Sequence, residues 1–271
     1  MKVILPSGDV KEFEGEVNLF TVAKSISNSL AKKSVAAKVN DELVDMSTVL
    51  NGEEFRIEFI TPETEEGEEI IRHSTAHLMA QAVVRLFPGT KVAIGPAIEN
   101  GFYYDFDPKE QFTEEDLAKI EAEMKKIVKE NEKIERVMMT REDAIKHFEE
   151  LGEEYKVEII KEIAQGEMLS FYKQGEFMDL CRGPHVPSTS YLKAFKLKSV
   201  AGAYWRGNSD NKMLQRIYGF AFADEKKLKD YLTLLEEAEK RDHRKLGKEL
   251  DLFFEVNMDL DSQYSYQKEW Q

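Results

Sequence analysis

Apolar residues recur along this chain with two periods, near two and near 3.6, and the switches between them mark out its elements. Lys2 to Leu5 and Val10 to Phe13 flank the turn residues Pro6-Ser7-Gly8-Asp9 and predict a β-hairpin. Phe20 to Leu30 has helical spacing, and Val35 to Val39, Glu42 to Val44 and Phe55 to Ile60 read as strands. An acidic stretch holding Pro and Gly, Thr61 to Glu69, leads into an apolar-periodic helix from Ile70 to Phe87; its carboxylates complement a helix N-terminus.

The order ββαβ followed by β predicts a small ubiquitin-like β-grasp domain over residues 1–62. Beyond the His-bearing helix, Val92 to Ile94 and Gly101 to Asp107 read as strands around a Gly95-Pro96 turn. Thr113 caps a long amphipathic helix to about Asn131, with Asp116 at the capping-box position. Helical patterns cover Arg141 to Leu151 and Tyr155 to Ala164, and strands return at Met168 to Tyr172, Phe177 to Leu180, Phe195 to Trp205 and Met213 to Phe222. The expectation is an α+β chain, with a larger α+β domain over residues 63–224 built on a largely antiparallel sheet. Residues 225–254 read as a C-terminal linker helix and 255–271 as a tail of unknown structure.

At 271 residues, 42% hydrophobic and 33% charged, the chain is long enough for about two domains with real cores. Its single cysteine cannot form an intrachain disulfide, which fits a reducing cytosol. The N-terminus has no signal-peptide pattern, and no apolar run approaches the roughly 20 residues of a membrane span. A soluble, cytoplasmic protein without a membrane partner is expected.

A net charge of −14 argues on average against nucleic acid, whose phosphates attract Lys and Arg. The average hides one segment. From Tyr191 to Ile217 the basic residues Lys193, Lys196, Lys198, Arg206, Lys212 and Arg216 face a single acid, Asp210, with Tyr191, Phe195, Tyr204 and Trp205 interleaved. Such a pattern suits a phosphate backbone and stacked, unpaired RNA bases; it equally suits a solvated strand face with aromatic core behind it.

Chemistry concentrates in two short motifs. His73-Ser74-Thr75-Ala76-His77 places two imidazoles on one helix face, and Cys181-Arg182-Gly183-Pro184-His185 brackets a Gly-Pro turn that cannot continue a helix. Together they use the only cysteine and three of the five histidines. Singly, each pair reads as satisfied core groups; jointly they suit a tetrahedral Zn²⁺ or a hydrolytic pocket. A His-Glu-x-x-His metalloprotease does not fit, because Ser74 stands where the general-base Glu belongs.

Five segments in order then resemble one family: His73 to His77, Gly101-Phe-Tyr-Tyr-Asp105, Asp179-Leu-Cys-Arg-Gly-Pro-His185, Ala201-Gly-Ala-Tyr-Trp-Arg-Gly207 and Asn211 to Gly219. They are similar to the N-terminal part of bacterial threonyl-tRNA synthetase. The β-grasp unit resembles its TGS domain, and the second domain resembles the editing domain shared with alanyl-tRNA synthetase. The resemblance runs to about residue 254, where the sequence departs from the approach to a class II catalytic core. ATP and the zinc of that core belong to the part outside this sequence, so no aminoacylation is expected from the chain, and a homodimer is expected only of the full-length enzyme.

The resemblance implies hydrolysis of Ser-tRNA(Thr) and sparing of Thr-tRNA(Thr). Serine lacks one methyl of threonine, worth only about 1–3 kcal/mol of discrimination in a synthetic pocket, so a second site is needed. Carried over, it makes His73, Lys156, Asp179, His77, Cys181 and His185 the catalytic set, with Tyr104, Asp179 and Arg182 binding substrate and the six basic residues above binding tRNA. His73 and Lys156 handle the ribose hydroxyl and its proton, Asp179 holds the substrate amino group, and water rather than Cys181 is the nucleophile. Editing is expected to need no cofactor; Zn²⁺ on His73, His77, Cys181 and His185, as in alanyl-type relatives, is the disfavoured case. The alternative is a tRNA- or protein-binding module whose pocket holds structural zinc or is idle.

Overall fold

The structure, a computed structural model, describes residues 1–163, 166, 168–241, 253–257 and 263–267. Its first part is the expected β-grasp. Strands β1 (Lys2–Ile4) and β2 (Val10–Glu12) form the hairpin, and β3 (Val17–Asn18) leads into α1 (Leu19–Ile26) and α2 (Asn28–Lys33). Strands β4 (Ala36–Val39), β5 (Glu42–Asp45), β6 (Val49–Leu50) and β7 (Glu54–Ile60) follow. The sheet order is β2-β1-β7-β4-β5, with β1 parallel to β7. Leu19, Val22 and Ala23, at helical spacing, bury against Val3, Ala37, Met46 and Ile57.

The run predicted as one helix from Phe20 to Leu30 is two. Ser27 takes extended backbone that ends α1, and its hydroxyl accepts the Ser29 N–H to start α2, the habit of a residue that competes with helix for backbone bonds.

Helix α3 (Glu65–Leu86) starts at Thr64, whose hydroxyl accepts the Gly67 N–H, with Glu65, Glu66 and Glu68 in its first turn. Every residue from Ser74 to Val83 is buried, so α3 is the central helix of the unit that holds it. Two antiparallel sheets surround it where the sequence suggested one. The first runs β14 (Ala194–Tyr204), β15 (Met213–Phe222), β10 (Gly101–Asp107), β8 (Lys91–Val92), with β9 (Ala97–Ile98) also on β10. Helix α4 (Glu114–Glu130) shares its core, and Asp116 accepts both the N–H and the hydroxyl of Thr113.

The second sheet runs β11 (Ile134–Met139), β12 (Leu169–Gln174), β13 (Phe177–Leu180). Helices α5 (Arg141–Glu150) and α6 (Glu154–Glu162) pack beside it through Ala144, Phe148, Val157, Ile160, Leu169 and Phe171.

Residues Met1–Glu225 make one compact unit. The boundary predicted at 62/63 falls in the connection between β7 and α3. The predicted linker helix begins as α7 (Glu225–Lys240), which falls in the second unit from Lys226 onward, and residues 242–252 lie outside the described residues. Strand β16 (Phe253–Asn257) pairs antiparallel with β17 (Gln263–Gln267) around the start of the predicted tail. Among the described residues no helix is long and apolar enough to cross a membrane.

Candidate active site

The two motifs meet. Helix α3 brings His73 and His77 to the end of β13, where the chain turns through Gly183 and Pro184 and returns His185 to Cys181. Gly183 sits at φ +70°, and a Cβ there would collide with the Tyr172 hydroxyl, so only glycine fits this turn. The Cys181 thiol lies 2.8 Å from His73 Nε2 and 3.3 Å from His185 Nε2, and accepts the Gly183 N–H at 3.2 Å. The His77 and His185 rings are tilted at 57° to one another with their centroids 4.3 Å apart. At the edge of the His185 ring, the Ser74 hydroxyl is 3.0 Å from Nδ1 and accepts the Val186 N–H.

Burial decides the charge states. It holds the His73 imidazole below the ordinary histidine range and the fully buried His77 and His185 well below it. The same burial pushes the Cys181 thiol up to about 12. A thiol and neutral imidazoles result, rather than a thiolate–imidazolium pair. The single S–H can point to only one of His73 Nε2 and His185 Nε2, so the other imidazole donates its Nε2–H to the sulfur.

Beneath this cluster lies a second, charged one. Lys156, from α6, forms an ion pair with Asp179 Oδ1 and donates to the Ala93 carbonyl at 2.6 Å and the Tyr104 hydroxyl at 3.1 Å. Tyr104 in turn donates to Asp179 Oδ2, and His77 Nε2 is 3.7 Å from that oxygen. Asp179 and Lys156 are each 2% exposed and Tyr104 is wholly buried, whereas His73 and Cys181 are partly exposed and Arg182 is exposed. Solvent therefore meets the site at the His73–Cys181 end. Burial and the Asp179 charge hold the Tyr104 phenol well above its usual range.

The structure thus brings His73, His77, Cys181, His185, Asp179, Lys156 and Tyr104 into one site and leaves Arg182 at its rim. The proposed tRNA strip is mostly engaged elsewhere. Lys196 pairs with Glu121, Arg206 with Glu158 and Glu162, Lys212 with Asp107, and Arg216 bidentately with Asp105. Lys198 lies over the Phe220 ring, and Lys193 is exposed.

One participant comes from the β-grasp part and carries no mark in the sequence. Asp45, at the end of β5 and 7% exposed, accepts the His185 backbone N–H at 3.0 Å and the Tyr172 hydroxyl at 2.7 Å. It braces the turn that carries His185 from 140 residues away. Beside it, a cleft of about 490 Å³ between Phe20 and Met46 on one side and Pro187 and Tyr191 on the other reaches His185.

His73, His77, Cys181 and His185 offer ligand atoms within 4.8 Å of one another. Three imidazoles and a thiol match tetrahedral Zn²⁺ in number and kind. The Ser74 contact on His185 Nδ1 is the outer support a ligating histidine needs. The residues fit the ion, but all four together would fill its coordination sphere.

A family model described as "TGS domain" matches residues 1–60, and one described as "Threonyl and Alanyl tRNA synthetase second additional domain" matches residues 169–218. The threonine–tRNA ligase of Fusobacterium nucleatum is 68% identical over 237 residues, 87% of this chain and 38% of the relative. That of Carboxydothermus hydrogenoformans is 61% identical over 249 residues, covering 92% and 39%, and that of Clostridioides difficile 56% over 253, covering 93% and 39%. The chain spans about two fifths of the length of these relatives. By its two domains, their order and this identity, the chain is similar to the N-terminal TGS and editing-domain region of threonine–tRNA ligases.

Proposed function

We propose that this chain is an aminoacyl-ester hydrolase that removes serine from mischarged tRNA(Thr) and spares threonine, acting on the tRNA acceptor end in the cytoplasm. The observation that carries the reading is a cysteine thiol held between two neutral imidazoles at the open end of a buried His–Lys–Asp–Tyr site. Water is the nucleophile: a thiol pushed to about 12 is a poor one at neutral pH.

The oxygen of water attacks the ester carbonyl carbon, the bond from that carbon to the ribose oxygen breaks, and serine and an RNA with a free ribose hydroxyl are released. His73, neutral and at the accessible end, takes a proton from the attacking water and returns it to the leaving ribose oxygen, so no proton is consumed. The Lys156 ammonium offers positive charge close by, for the ribose hydroxyl or the developing oxyanion. Asp179 is the carboxylate that draws the serine ammonium, with Tyr104 fixing its orientation. Arg182, exposed at the rim, is placed for a phosphate of the incoming RNA.

Zn²⁺ on the four donors would act as a Lewis acid or acidify a bound water. With every tetrahedral position taken by protein, no place remains for that water, and we propose that hydrolysis runs on the side chains alone. The test is release of amino acid from Ser-tRNA(Thr) and Thr-tRNA(Thr) at equal enzyme, with and without a chelator. Faster loss of serine that survives chelation supports the reading. Stoichiometric bound zinc with no ester loss above buffer contradicts it and leaves a tRNA- or protein-binding module with a structural metal.

A further inference from the structure

Helix α6, which carries Lys156, has nine residues, shorter than a helix that persists alone in water. Its placement therefore depends on what grips it. Tyr155, Glu158 and Glu162 stand at i, i+3 and i+7, one face of the helix, and that face is gripped by the turn Trp205–Gly207 between β14 and β15.

The grip is specific. Trp205, 6% exposed, packs edge-on against the Tyr155 ring with centroids 5.0 Å apart, and its Nε1–H donates to Glu158 Oε1 at 3.2 Å. Arg206 Nε lies 3.0 Å from the same oxygen and its Nη1 2.6 Å from Glu162, with the guanidinium 5.3 Å from the Trp205 ring. Tyr155 donates its hydroxyl to Asp107, which Lys212 beyond the turn also meets at 2.6 Å. Lys156 is thus bracketed by two gripped residues, the one before it and Glu158 two after it.

The turn adopts an unfavourable backbone to do this. Arg206 sits at φ +58°, ψ 22°, the left-handed region that a long side chain rarely takes. Exposed ion pairs of this kind contribute little to stability, so stability alone does not explain a strained arginine there. Local strain persists where its surroundings fix it, commonly beside a working site.

We propose that Trp205 and Arg206 are positioning residues: the turn they form latches α6 in the register at which the Lys156 ammonium meets Ala93, Tyr104 and Asp179. The consequence for turnover rests on the deacylase reading above; the latch itself does not.

The test is the double variant Trp205→Phe, Arg206→Gly. Phenylalanine keeps a ring on Tyr155 and glycine takes the left-handed backbone freely, so the fold is retained while the contacts to Glu158 and Glu162 are lost. Two quantities are read: acetylation of Lys156 by a small amine-reactive reagent, followed by peptide mass spectrometry, and Ser-tRNA(Thr) deacylation resolved into kcat and KM. The latch predicts Lys156 labelling faster by about fivefold or more and kcat lower by about tenfold, with KM within about twofold. Lys161→Gln, which breaks the Lys161–Glu149 pair on the same helix, is expected to move neither.

Unchanged Lys156 labelling in the folded double variant overturns the proposal, as does an equal rise in Lys161→Gln. If the wild type releases no serine, the deacylase reading fails while the labelling still decides the latch.

Discussion

The β-grasp part and the larger part that follows it spend burial on different things. Between Met1 and Ile60 the buried side chains are apolar apart from Ser34 and Asp45. The larger part buries Lys156, Asp179, His77, His185, Asp105 and Asp107 among others. Buried charge is expensive and holds only when paired, so the first part is organised for stability and the second accepts cost around its chemistry. The exception sharpens the contrast. Asp45 is the buried carboxylate of the β-grasp part, and it is the one that touches the candidate site.

The largest expected break in this comparison is Lys156→Met, which strands Asp179 in the interior. A loss of about 3–5 kcal/mol in denaturant unfolding is expected, most of it recovered in the double variant Lys156→Met, Asp179→Leu. A loss under about 1 kcal/mol would mean that the pair is not buried as described.

Acid should act next, and on the larger part. His73, His77 and His185 have depressed pKa values in the folded protein, so as pH falls through about 6.5 the unfolded chain takes up protons first. Their stability contribution is complete above that pH and is lost on descending towards the folded values, at most about 1.4 kcal/mol per pH unit for each histidine. Unfolding of the chelated protein from pH 7.5 to 5 measures the slope. A flat profile would put these imidazoles in water.

Asp45→Ala removes the acceptor of two bonds and is expected to cost about 1–3 kcal/mol. It should also slow Ser-tRNA(Thr) deacylation by loosening the His185 turn. Ser34→Ala, which loses a bond to the Leu30 carbonyl, should cost about 1 kcal/mol or less and leave deacylation untouched. Equal behaviour of the two variants in deacylation would remove the bracing role of Asp45.

What could be read in the sequence follows the same division. Local signals sufficed for the His73/His77 face, the Cys181–His185 turn and the Thr113–Asp116 cap, because each lies within five residues. Strand β11 was not legible: Ile-Glu-Arg-Val-Met-Met lacks strict alternation, and its pairing is with β12, some thirty residues on. Asp45 is one of 52 acidic residues, and only the fold brings it to His185. The basic strip was legible as cations, but not the fact that Asp105, Asp107, Glu121, Glu158 and Glu162 meet four of the six.

The most direct test is single-turnover release of serine from Ser-tRNA(Thr) by the wild type and His73→Ala, both shown to be folded by near-ultraviolet circular dichroism. The account expects wild-type release well above buffer and a variant slower by about 100-fold or more, the scale of a lost general acid–base. Wild-type release at the buffer rate, or a His73→Ala variant that matches the wild type, would contradict it.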